Sequence, residues 1–412
     1  MSENIKEIDH CEVCNGKDLI SVLNLGELPM CDDLVVIGET RECKEYPTEI
    51  LLCQKCNTAH QRFQIKKEVL FNDSYHYRAR FTQDVIDGME ELVGSALSYI
   101  NNLEEKKVLD IGCNDGSLLN FFKKEGAITF GIEPTNAYLD AKEAGHNVQK
   151  DYLTPEVANK FVKLNGKVDI LTFTNVFAHI DDLKSLLDSV DILMHDDSVL
   201  IVENHYLGSI LKTNQFDTFY HEHPRSYSYS SFDVIAHNLK RGISKLEFPS
   251  RYGGNIRVFI DKNSSIQEDT RQEISEILNY ESKFKDMFIS MSSNINKWKE
   301  EKKAYIDLLL ENNSKIAAKA FPGRAAILMK LLDLDYHNLE GVYEKPGSKK
   351  IGHYVPGTRI PILSDDDLFT HTDQKKPLMN LAWHIPLEVR KYLKENEYHG
   401  EVFEIIDTND WD

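Results

Sequence analysis

Four cysteines arranged in two pairs have the most specific chemical spacing in this sequence. Cys11 and Cys14 form one Cys-x-x-Cys pair, and Cys53 and Cys56 form a second pair after thirty-eight intervening residues. Two such pairs offer four thiolates, a ligand set that binds Zn²⁺ in tetrahedral geometry. Since every ligand would come from the protein, the pattern predicts a structural zinc site. Free or redox-active cysteines are the alternative.

A glycine turn follows a short apolar run. The run is Lys107–Ile111, and the turn contains Gly112, Asn114 and Gly116. Glycines there let the backbone approach a bound cofactor. Glu133 closes the next apolar run about twenty residues on, where a carboxylate can accept hydrogen bonds from ribose hydroxyls. The spacing differs from the dinucleotide pattern G-x-G-x-x-G and favours S-adenosylmethionine. A purely structural turn is the alternative.

Three further positions follow from the same geometry. Asp151 and Tyr152 are expected to end the third strand, within reach of an adenine ring. Asn175 follows the fourth strand, where a cofactor would meet a substrate. Each of these residues could instead satisfy the backbone of a loop.

A cluster of polar side chains lies within Phe219–Pro224. It contains Tyr220, His221, Glu222 and His223. Such a cluster supplies a base near neutral pH, an orienting acid and a hydrogen-bond donor. A polar loop without chemistry is the alternative.

The elements that would position these residues alternate between strands and helices. A series of this kind, closed by a hairpin, predicts a doubly wound α/β sheet with one reversed strand. Expected strands cover 107–111, 128–133, 168–174, 198–203, 243–249 and 257–261, and expected helices cover 117–124, 137–144 and 183–194.

The chain is expected to divide into four parts. Residues 1–80 form a small module with too few apolar residues for a core of its own, which a metal would stabilise. Residues 81–262 form the α/β domain, and 263–312 form a polar, helical linker. In residues 313–412 the alternation restarts and predicts a smaller α/β domain. Its expected strands are 316–321, 339–344, 378–385 and 402–406, and its helices are 323–332 and 386–395.

Composition excludes several classes of protein. The 412 residues include 48 basic and 67 acidic side chains, giving a net charge of −19. This balance argues against a nucleic-acid partner and against attachment to an anionic membrane. No apolar stretch is long enough for a membrane span, and the polar N-terminus lacks the apolar region of a signal peptide. We therefore expect a cytoplasmic protein, and a monomer.

In this order the motifs resemble the zinc-containing, S-adenosylmethionine-dependent sugar C-methyltransferases, which act on nucleotide-linked 4-keto-6-deoxy sugars. The resemblance implies a class I, Rossmann-like methyltransferase domain between a zinc-binding module and a second Rossmann-like α/β domain. It implies S-adenosylmethionine as cofactor, structural Zn²⁺ and a nucleotide-diphosphate sugar as substrate. The segments that carry it are the four cysteines, Tyr75–Tyr77, Ile111–Gly116, Gly131–Pro134, Asn175–His179, Tyr206–Gly208, Phe216–Asp217, Tyr220–His223, Pro356–Pro361 and Ala382–Trp383.

The resemblance also implies roles for individual residues. His223 would be the base, with Glu222 and Tyr220 beside it, and His179 and Tyr77 would donate hydrogen bonds near the substrate. The methyl group would go to a carbon next to the keto group, because only there can a base form an enolate. Substrate contacts are expected at Tyr75, Asn204, Tyr206, Tyr252 and Arg324. A sugar O-methyltransferase and a non-catalytic, zinc-stabilised binding protein are the alternatives.

Two segments depart from the family pattern. Ala320–Arg324 replaces a glycine-rich turn followed by lysine, and Tyr252 and Asn255 replace the polar ends of a His-Gly-Gly-Ser hairpin. Both segments are expected to touch the nucleotide sugar, so the substrate can differ from the usual thymidine diphosphate sugar. Arg324 next to Gly323 at a helix start is expected to contact the diphosphate.

Overall fold

The computed structural model describes residues 4–70, 78–262, 268–370 and 373–411. Tyr75, Tyr77 and the side chain of Tyr252 lie outside this description. The chain folds into two compact units, and neither is a continuous stretch of sequence. The first unit contains Met1–Ile20, Leu51–Ile210 and Glu222–Phe284, and the second contains Ser21–Ile50, Leu211–His221 and Lys285–Asp412.

Strands and helices alternate along most of the chain. The strands are β1 (Ile5–Glu7), β2 (Leu19–Pro29), β3 (Val35–Val36), β4 (Glu45–Cys53), β5 (Ala59–Gln61), β6 (Phe63–Ile65), β7 (Lys107–Ile111), β8 (Ile128–Ile132), β9 (Asn147–Gln149), β10 (Val168–Thr174), β11 (Met194–His205), β12 (Arg225–Ser226), β13 (Gly242–Glu247), β14 (Asn255–Asp261), β15 (Ile316–Lys319), β16 (Leu339–Glu344), β17 (His353–Tyr354), β18 (Ile362–Ser364), β19 (Leu378–Asn380) and β20 (Val402–Glu404).

The helices separate these strands. They are α1 (Lys67–Leu70), α2 (Gln83–Ile100), α3 (Ser117–Lys124), α4 (Tyr138–Glu143), α5 (Pro155–Asn165), α6 (Leu183–Leu193), α7 (Leu207–Lys212), α8 (Tyr229–Asn238), α9 (Glu268–Glu281), α10 (Phe284–Asn312), α11 (Ala325–Leu331), α12 (Asp365–Thr370) and α13 (Pro386–Glu395). Among the described residues, no helix is both long enough and apolar enough to span a membrane.

A twisted sheet forms the centre of the first unit. Its order is β13-β14-β11-β10-β7-β8-β9. Strands β7 to β11 are mutually parallel where they pair, and β14 pairs antiparallel with both β11 and β13. The predicted α/β fold with one reversed strand is confirmed. Because the parallel strands share a direction, the residues that follow β7, β8 and β10 meet at one edge of the sheet.

Helix α2 shows how the sequence covers this sheet. Its buried side chains recur every three or four residues, at Val85, Met89, Leu92, Val93 and Ala96. That spacing places them on one face of the helix. They pack in a common core with apolar side chains of α3, β7 and β10.

The second unit contains a smaller parallel sheet. Its order is β18-β16-β15-β19-β20, and every pairing recorded in it is parallel. Counted in chain order within this sheet, the strands are arranged 3-2-1-4-5, which is the classic Rossmann order without its sixth strand, so the second Rossmann-like domain is confirmed. Helix α10 contributes to its core: the Trp298 side chain is fully buried, and its Nε1–H donates to the Ile405 carbonyl (2.8 Å).

Short strands near the N-terminus belong to both units. In the first unit β1 pairs with β6, and β5 pairs with β12. In the second unit β3 pairs with β17, and β2 lies beside β4. All of the recorded registers are antiparallel.

Several expected strand boundaries differ from the structure, and two of the differences have a local cause. Strand β9 ends at Gln149 rather than at Tyr152, because Asp151 accepts a hydrogen bond from the Tyr152 amide (3.0 Å) and turns the chain. Strand β19 ends at Asn380 rather than at Ile385, because the Asn380 side chain accepts from the Ala382 amide (3.0 Å). The apolar residues after Asn380 are buried in a loop, which sequence alone does not distinguish from a strand.

Candidate functional site

The four predicted cysteine ligands converge in the first unit. Their sulfur atoms all lie within 4.8 Å of one another, with Cys11 Sγ 3.5 Å from Cys56 Sγ and Cys14 Sγ 3.6 Å from Cys53 Sγ. Tetrahedral Zn–S bonds of about 2.3 Å place sulfurs about 3.8 Å apart, so the cluster fits zinc. All seven cysteines are free of disulfides, which leaves these four thiols available to a metal.

Polar side chains surround these sulfurs. His60 Nε2 lies 3.3 Å from Cys11 Sγ, and Thr58 Oγ1 lies 3.1 Å from Cys56 Sγ. Both residues are fully buried. Donors placed beside thiolates in this way orient the ligands and balance their charge.

The glycine turn connects β7 to α3, as predicted. Gly112 and Gly116 have φ angles of 67° and 78°, which favour glycine. A Cβ at Gly112 would lie 2.6 Å from Val176 Cγ2, and one at Gly116 would lie 2.8 Å from His146 Cδ2. The two glycines are therefore required by both backbone conformation and packing.

Glu133 lies directly after β8 and reaches back to this turn. Its Oε2 accepts a hydrogen bond from the Asn114 amide (3.0 Å), and its Oε1 accepts from the Thr135 amide (2.8 Å). The carboxylate is buried, and Oε1 also accepts from the Thr135 hydroxyl (2.5 Å). Oε2 has a second lone pair that can accept from a ribose hydroxyl. The arrangement therefore fits an adenosine-containing cofactor.

Asp151 and Tyr152 follow β9 near the same edge. Asp151 Oδ2 accepts from Gln149 Nε2 (3.2 Å), and the Tyr152 ring lies 5.3 Å from the Lys67 ammonium. Both side chains are half-buried, which leaves part of each accessible to a ligand.

Unpaired polar atoms line the carboxyl ends of β10 and β11. Five buried atoms have no hydrogen-bond partner among the residues that the structure describes: Thr174 Oγ1, Asn175 Oδ1, Asn255 Oδ1 and both amide atoms of Asn204. Thr174 lies opposite Glu203 in the register, so Asn175 and Asn204 follow adjacent positions on neighbouring strands. Buried polar atoms are rarely left unpaired. A ligand with many hydroxyl or carbonyl groups would satisfy them.

Three imidazole rings lie together beside this edge. The His223 ring centroid is 4.7 Å from that of His179 and 6.1 Å from that of His205. The His179 Nδ1–H donates to the Glu222 carbonyl (2.8 Å), and burial lowers the pKa of His179 to about 4. His179 is therefore neutral at physiological pH.

Comparison with known proteins identifies this arrangement. Three family models match in chain order: one described as "putative zinc binding domain" over residues 11–71, a methyltransferase domain over 77–239 and a C-methyltransferase C-terminal domain over 250–405. The chain is 26% identical to the C-methyltransferase NovU of Streptomyces niveus, over 98% of this chain and 96% of that protein. These matches support a zinc-containing, S-adenosylmethionine-dependent C-methyltransferase.

Other relatives match only part of this methyltransferase. A ubiquinone biosynthesis O-methyltransferase of Histophilus somni is 33% identical over 27% of this chain and 52% of its own length. The magnesium protoporphyrin IX methyltransferase of Synechocystis, solved with S-adenosylmethionine bound, aligns with a TM-score of 0.32 and 15% identity over 47% of this chain and 88% of that one.

S-adenosylmethionine is therefore the cofactor of this methyltransferase, and zinc is its structural metal. The hypothesis of a non-catalytic binding protein is set aside. The expected features of a cofactor site are present at Glu133 and at the turn that contains Gly112, Asn114 and Gly116. The cysteine cluster has the geometry expected of a metal site.

Several predicted residues of the methyltransferase are occupied by internal contacts. The Tyr206 hydroxyl donates to Glu281 (3.0 Å), which leaves Tyr206 buried. His221 belongs to the second unit, where its ring packs edge-on against Tyr46 (5.7 Å) and its Nε2 lies 3.1 Å from Thr48 Oγ1. The position of His221 is thus explained by packing.

Arg324 and Tyr220 also lie in the second unit, whereas Glu222 and His223 lie in the first. Arg324 directly precedes α11, and its Nε is 3.3 Å from Asp217 Oδ2. Trp383 Nε1 donates to the same oxygen (3.0 Å), and the Arg324 guanidinium lies 5.7 Å from the Trp383 ring. An internal ion pair therefore holds Arg324.

Sequence reasoning missed His205 and Thr174. Thr174 ends β10, whose bounds were correctly predicted, and His205 ends β11, two residues beyond the expected strand. Their position at the carboxyl ends of parallel strands is the signal that could have found them, because ligands bind at that edge.

Proposed function

We propose that this chain methylates a carbon next to the keto group of a nucleotide-linked 4-keto-deoxysugar, with His223 as the base. The observation that supports this most directly is the His223–His179 pair beside the unpaired amide atoms of Asn175 and Asn204. A base and unfilled hydrogen-bonding atoms then lie at the edge of the sheet that also carries the cofactor turn.

The chemistry explains why a base is needed. His223 removes the proton from the carbon next to the ketone, and the C–H electron pair moves toward the ketone oxygen to give an enolate. Bound S-adenosylmethionine supplies an electrophilic methyl group. The enolate carbon would form the new bond to this methyl group as the S–CH₃ bond breaks, which re-forms the ketone and leaves S-adenosylhomocysteine. The proton would remain on the imidazole until it passes to solvent.

The neighbours of His223 have complementary roles. His179 is neutral because of its burial, so it adds no charge beside the base and carries a single N–H. Its Nδ1–H holds the Glu222 carbonyl and so fixes the backbone next to the base. Tyr77, Tyr220 and the Glu222 carboxylate complete the proposed catalytic group, and donors among them would stabilise the oxyanion.

The unpaired atoms indicate a polar substrate. Asn204 offers a donor and an acceptor, and Asn175 and Thr174 add an acceptor and a hydroxyl. A sugar ring presents hydroxyl and carbonyl groups that match such atoms. Tyr75 and Tyr252 are proposed as further sugar contacts, and Arg324 as a contact of the diphosphate.

The experiment is product analysis with a panel of nucleotide-linked keto-sugars. We expect one substrate to gain 14 mass units, about the mass of one methylene, on a carbon next to its ketone. Without S-adenosylmethionine, the enzyme should still exchange that carbon's proton with deuterium from D₂O. A methyl group found on oxygen would contradict the proposal. Methylation of the sugar without any exchange of the carbon-bound proton with solvent would also contradict it.

A further inference from the structure

The strand that follows His223, β12, is hydrogen-bonded to the strand that follows the second cysteine pair, β5. In the first unit, β5 and β12 form an antiparallel ladder in which Arg225 lies opposite His60 and Ser226 opposite Ala59. The Gln61 amide donates to the Pro224 carbonyl (2.9 Å). Since β5 begins three residues after Cys56, the peptide that follows His223 is held by the metal-binding loop.

Arg225 connects the same segment to the first cysteine pair. Its guanidinium is fully buried, and Nη1 donates to the carboxylate of Glu12, which lies between Cys11 and Cys14. Nη2 donates to the Ile180 carbonyl, immediately after His179. Arg225 therefore donates hydrogen bonds both to the loop between Cys11 and Cys14 and to the loop that follows His179.

Glu12 is itself held in a fixed position. Its Oε2 accepts from Gln64 Nε2 (2.8 Å), and its Oε1 accepts from Lys6 Nζ (2.7 Å). His60, which contacts Cys11 Sγ, lies 3.9 Å from the same carboxylate. The position of the Glu12 carboxylate therefore depends on the conformation of the loop that carries Cys11 and Cys14.

The second cysteine pair anchors helix α8. The Cys56 carbonyl accepts hydrogen bonds from Ser228 Oγ (3.1 Å) and Ser231 Oγ (3.3 Å). Ser228 is the N-cap residue of α8, and Thr58 Oγ1 lies 2.8 Å from Ser231 Oγ. The segment from His223 to the start of α8 is thus held at both ends by residues 56–61, which follow the second cysteine pair.

From these contacts we propose that the zinc site positions the catalytic base. Binding of the metal fixes the positions of both cysteine pairs. The β5–β12 pairing and the Glu12–Arg225 ion pair then fix the positions of the segments that contain His223 and His179. Glu12 and Arg225 are positioning residues, since neither belongs to the proposed catalytic group. The inference rests on the proposed role of His223. Displacing a base by about 1 Å can lower the rate about 100-fold, so the coupling has a measurable consequence.

The first test replaces Glu12 in the zinc-loaded enzyme. Glu12→Gln keeps the shape of the side chain but removes its charge, so Arg225 loses its ionic partner. We expect kcat to fall by about 10- to 100-fold, while zinc content, KM and the affinity for S-adenosylmethionine stay within about twofold. The matched control is Glu7→Gln, which removes an exposed pair with Arg62 (2.9 Å) in the same module and should retain wild-type kcat. Retained zinc with wild-type kcat in Glu12→Gln would overturn the proposal.

The second test does not depend on activity. Zinc is removed from the wild type with a chelator, and backbone hydrogen exchange is followed by mass spectrometry in two segments, 222–231 and 107–133. We expect exchange to rise by about tenfold or more in 222–231 before it rises in 107–133, which belongs to the cofactor half of the sheet. Unchanged exchange in 222–231, or a simultaneous rise in both segments, would overturn the proposal. This test also decides the matter if Glu12→Gln loses its zinc.

The two proposals fail in different ways. If the wild type methylates no keto-sugar, the proposed function is wrong, but the hydrogen-exchange result still shows whether zinc controls the segment around His223. If the keto-sugar is methylated and both tests give the contrary result, only the positioning role is lost.

Discussion

The side chain of His223 carries the proposed chemistry at the scale of single residues. His223→Asn should lower turnover by about 10²–10⁴-fold, which is the usual cost of losing a general base. The affinity for S-adenosylmethionine should stay unchanged, because the cofactor turn and Glu133 are separate from the imidazole cluster. Steady-state kinetics and calorimetry measure the two quantities.

His221→Asn is the matched control for that substitution. His221 packs against Tyr46 and Thr48 in the second unit, so its loss should lower the melting temperature and leave kcat within about threefold. Equal losses of turnover in the two variants would show that the segment acts through its fold and not through the His223 imidazole.

Glu133 allows a second prediction at this scale. Glu133→Ala removes a charged acceptor of ribose hydroxyls and frees the Asn114 amide, so binding of S-adenosylmethionine should weaken by about 1–3 kcal/mol. Isothermal calorimetry measures the effect. The exposed Glu143 on α4 provides the control, and Glu143→Ala should bind the cofactor like the wild type.

At the scale of elements, a glycine in helix α2 leaves room for the Arg251 side chain, which pairs with a residue of the sheet. The Arg251 guanidinium occupies the space where a Cβ at Gly88 would lie, 1.5 Å from Arg251 Cζ. The same guanidinium is ion-paired with Glu203, whose side chain is fully buried. A larger residue at Gly88 must therefore displace a buried charge from its partner.

Two glycines of the same helix give a matched pair of substitutions. Gly88→Ala should destabilise the protein by about 1–3 kcal/mol, although alanine favours helices, because it disturbs the Arg251–Glu203 pair. Gly94 is exposed, and a Cβ added there would meet no described atom of another element within 4 Å, so Gly94→Ala should stabilise by about 0.5–1 kcal/mol. Urea unfolding measures both. A similar gain in the two variants would mean that Arg251 moves aside without cost.

At the scale of the whole molecule, buried histidines make both units sensitive to acid. Burial lowers the pKa of His146 in the first unit and of His221 in the second to about 4. An unfolded histidine has a pKa of about 6.5. Between these values the two histidines take up protons in the unfolded chain but not in the folded chain, so their contribution to the free energy of unfolding falls as the pH falls from 6.5 towards 4.

The contribution of one histidine can be isolated. For His221 the stability lost over that pH range is on the order of 3 kcal/mol. His221→Asn should therefore lose less stability on acidification than the wild type does, although it starts lower at pH 7.5. Urea unfolding at pH 7.5, 6 and 5 measures the difference. His237→Asn, at an exposed position of α8, should follow the wild-type curve, and an identical slope for His221→Asn would contradict the prediction.

The sequence alone determined the features that depend on short spacing. The cysteine pairs, the turn from Gly112 to Gly116 and the acid at Glu133 each act through a few neighbouring residues, so their chemistry is visible before folding. Most strands of both sheets also followed from hydrophobic periodicity, although β18 was not predicted. Strand β2 was missed although Leu23 and Leu25 are buried and Asn24 is exposed, an alternation that marks a strand.

Only the tertiary structure decided which distant residues meet. Arg225 contacts Glu12 across more than two hundred residues of chain, and His205 lies beside His223 because β11 ends next to that segment. The same holds for Tyr206, whose hydroxyl is used by Glu281 on α9. Such contacts depend on how buried side chains pack between elements, and hydrophobic periodicity fixes the buried face of an element without fixing its partner. Zinc ligation was therefore readable from spacing, whereas the connection from the zinc site to the base required the folded chain.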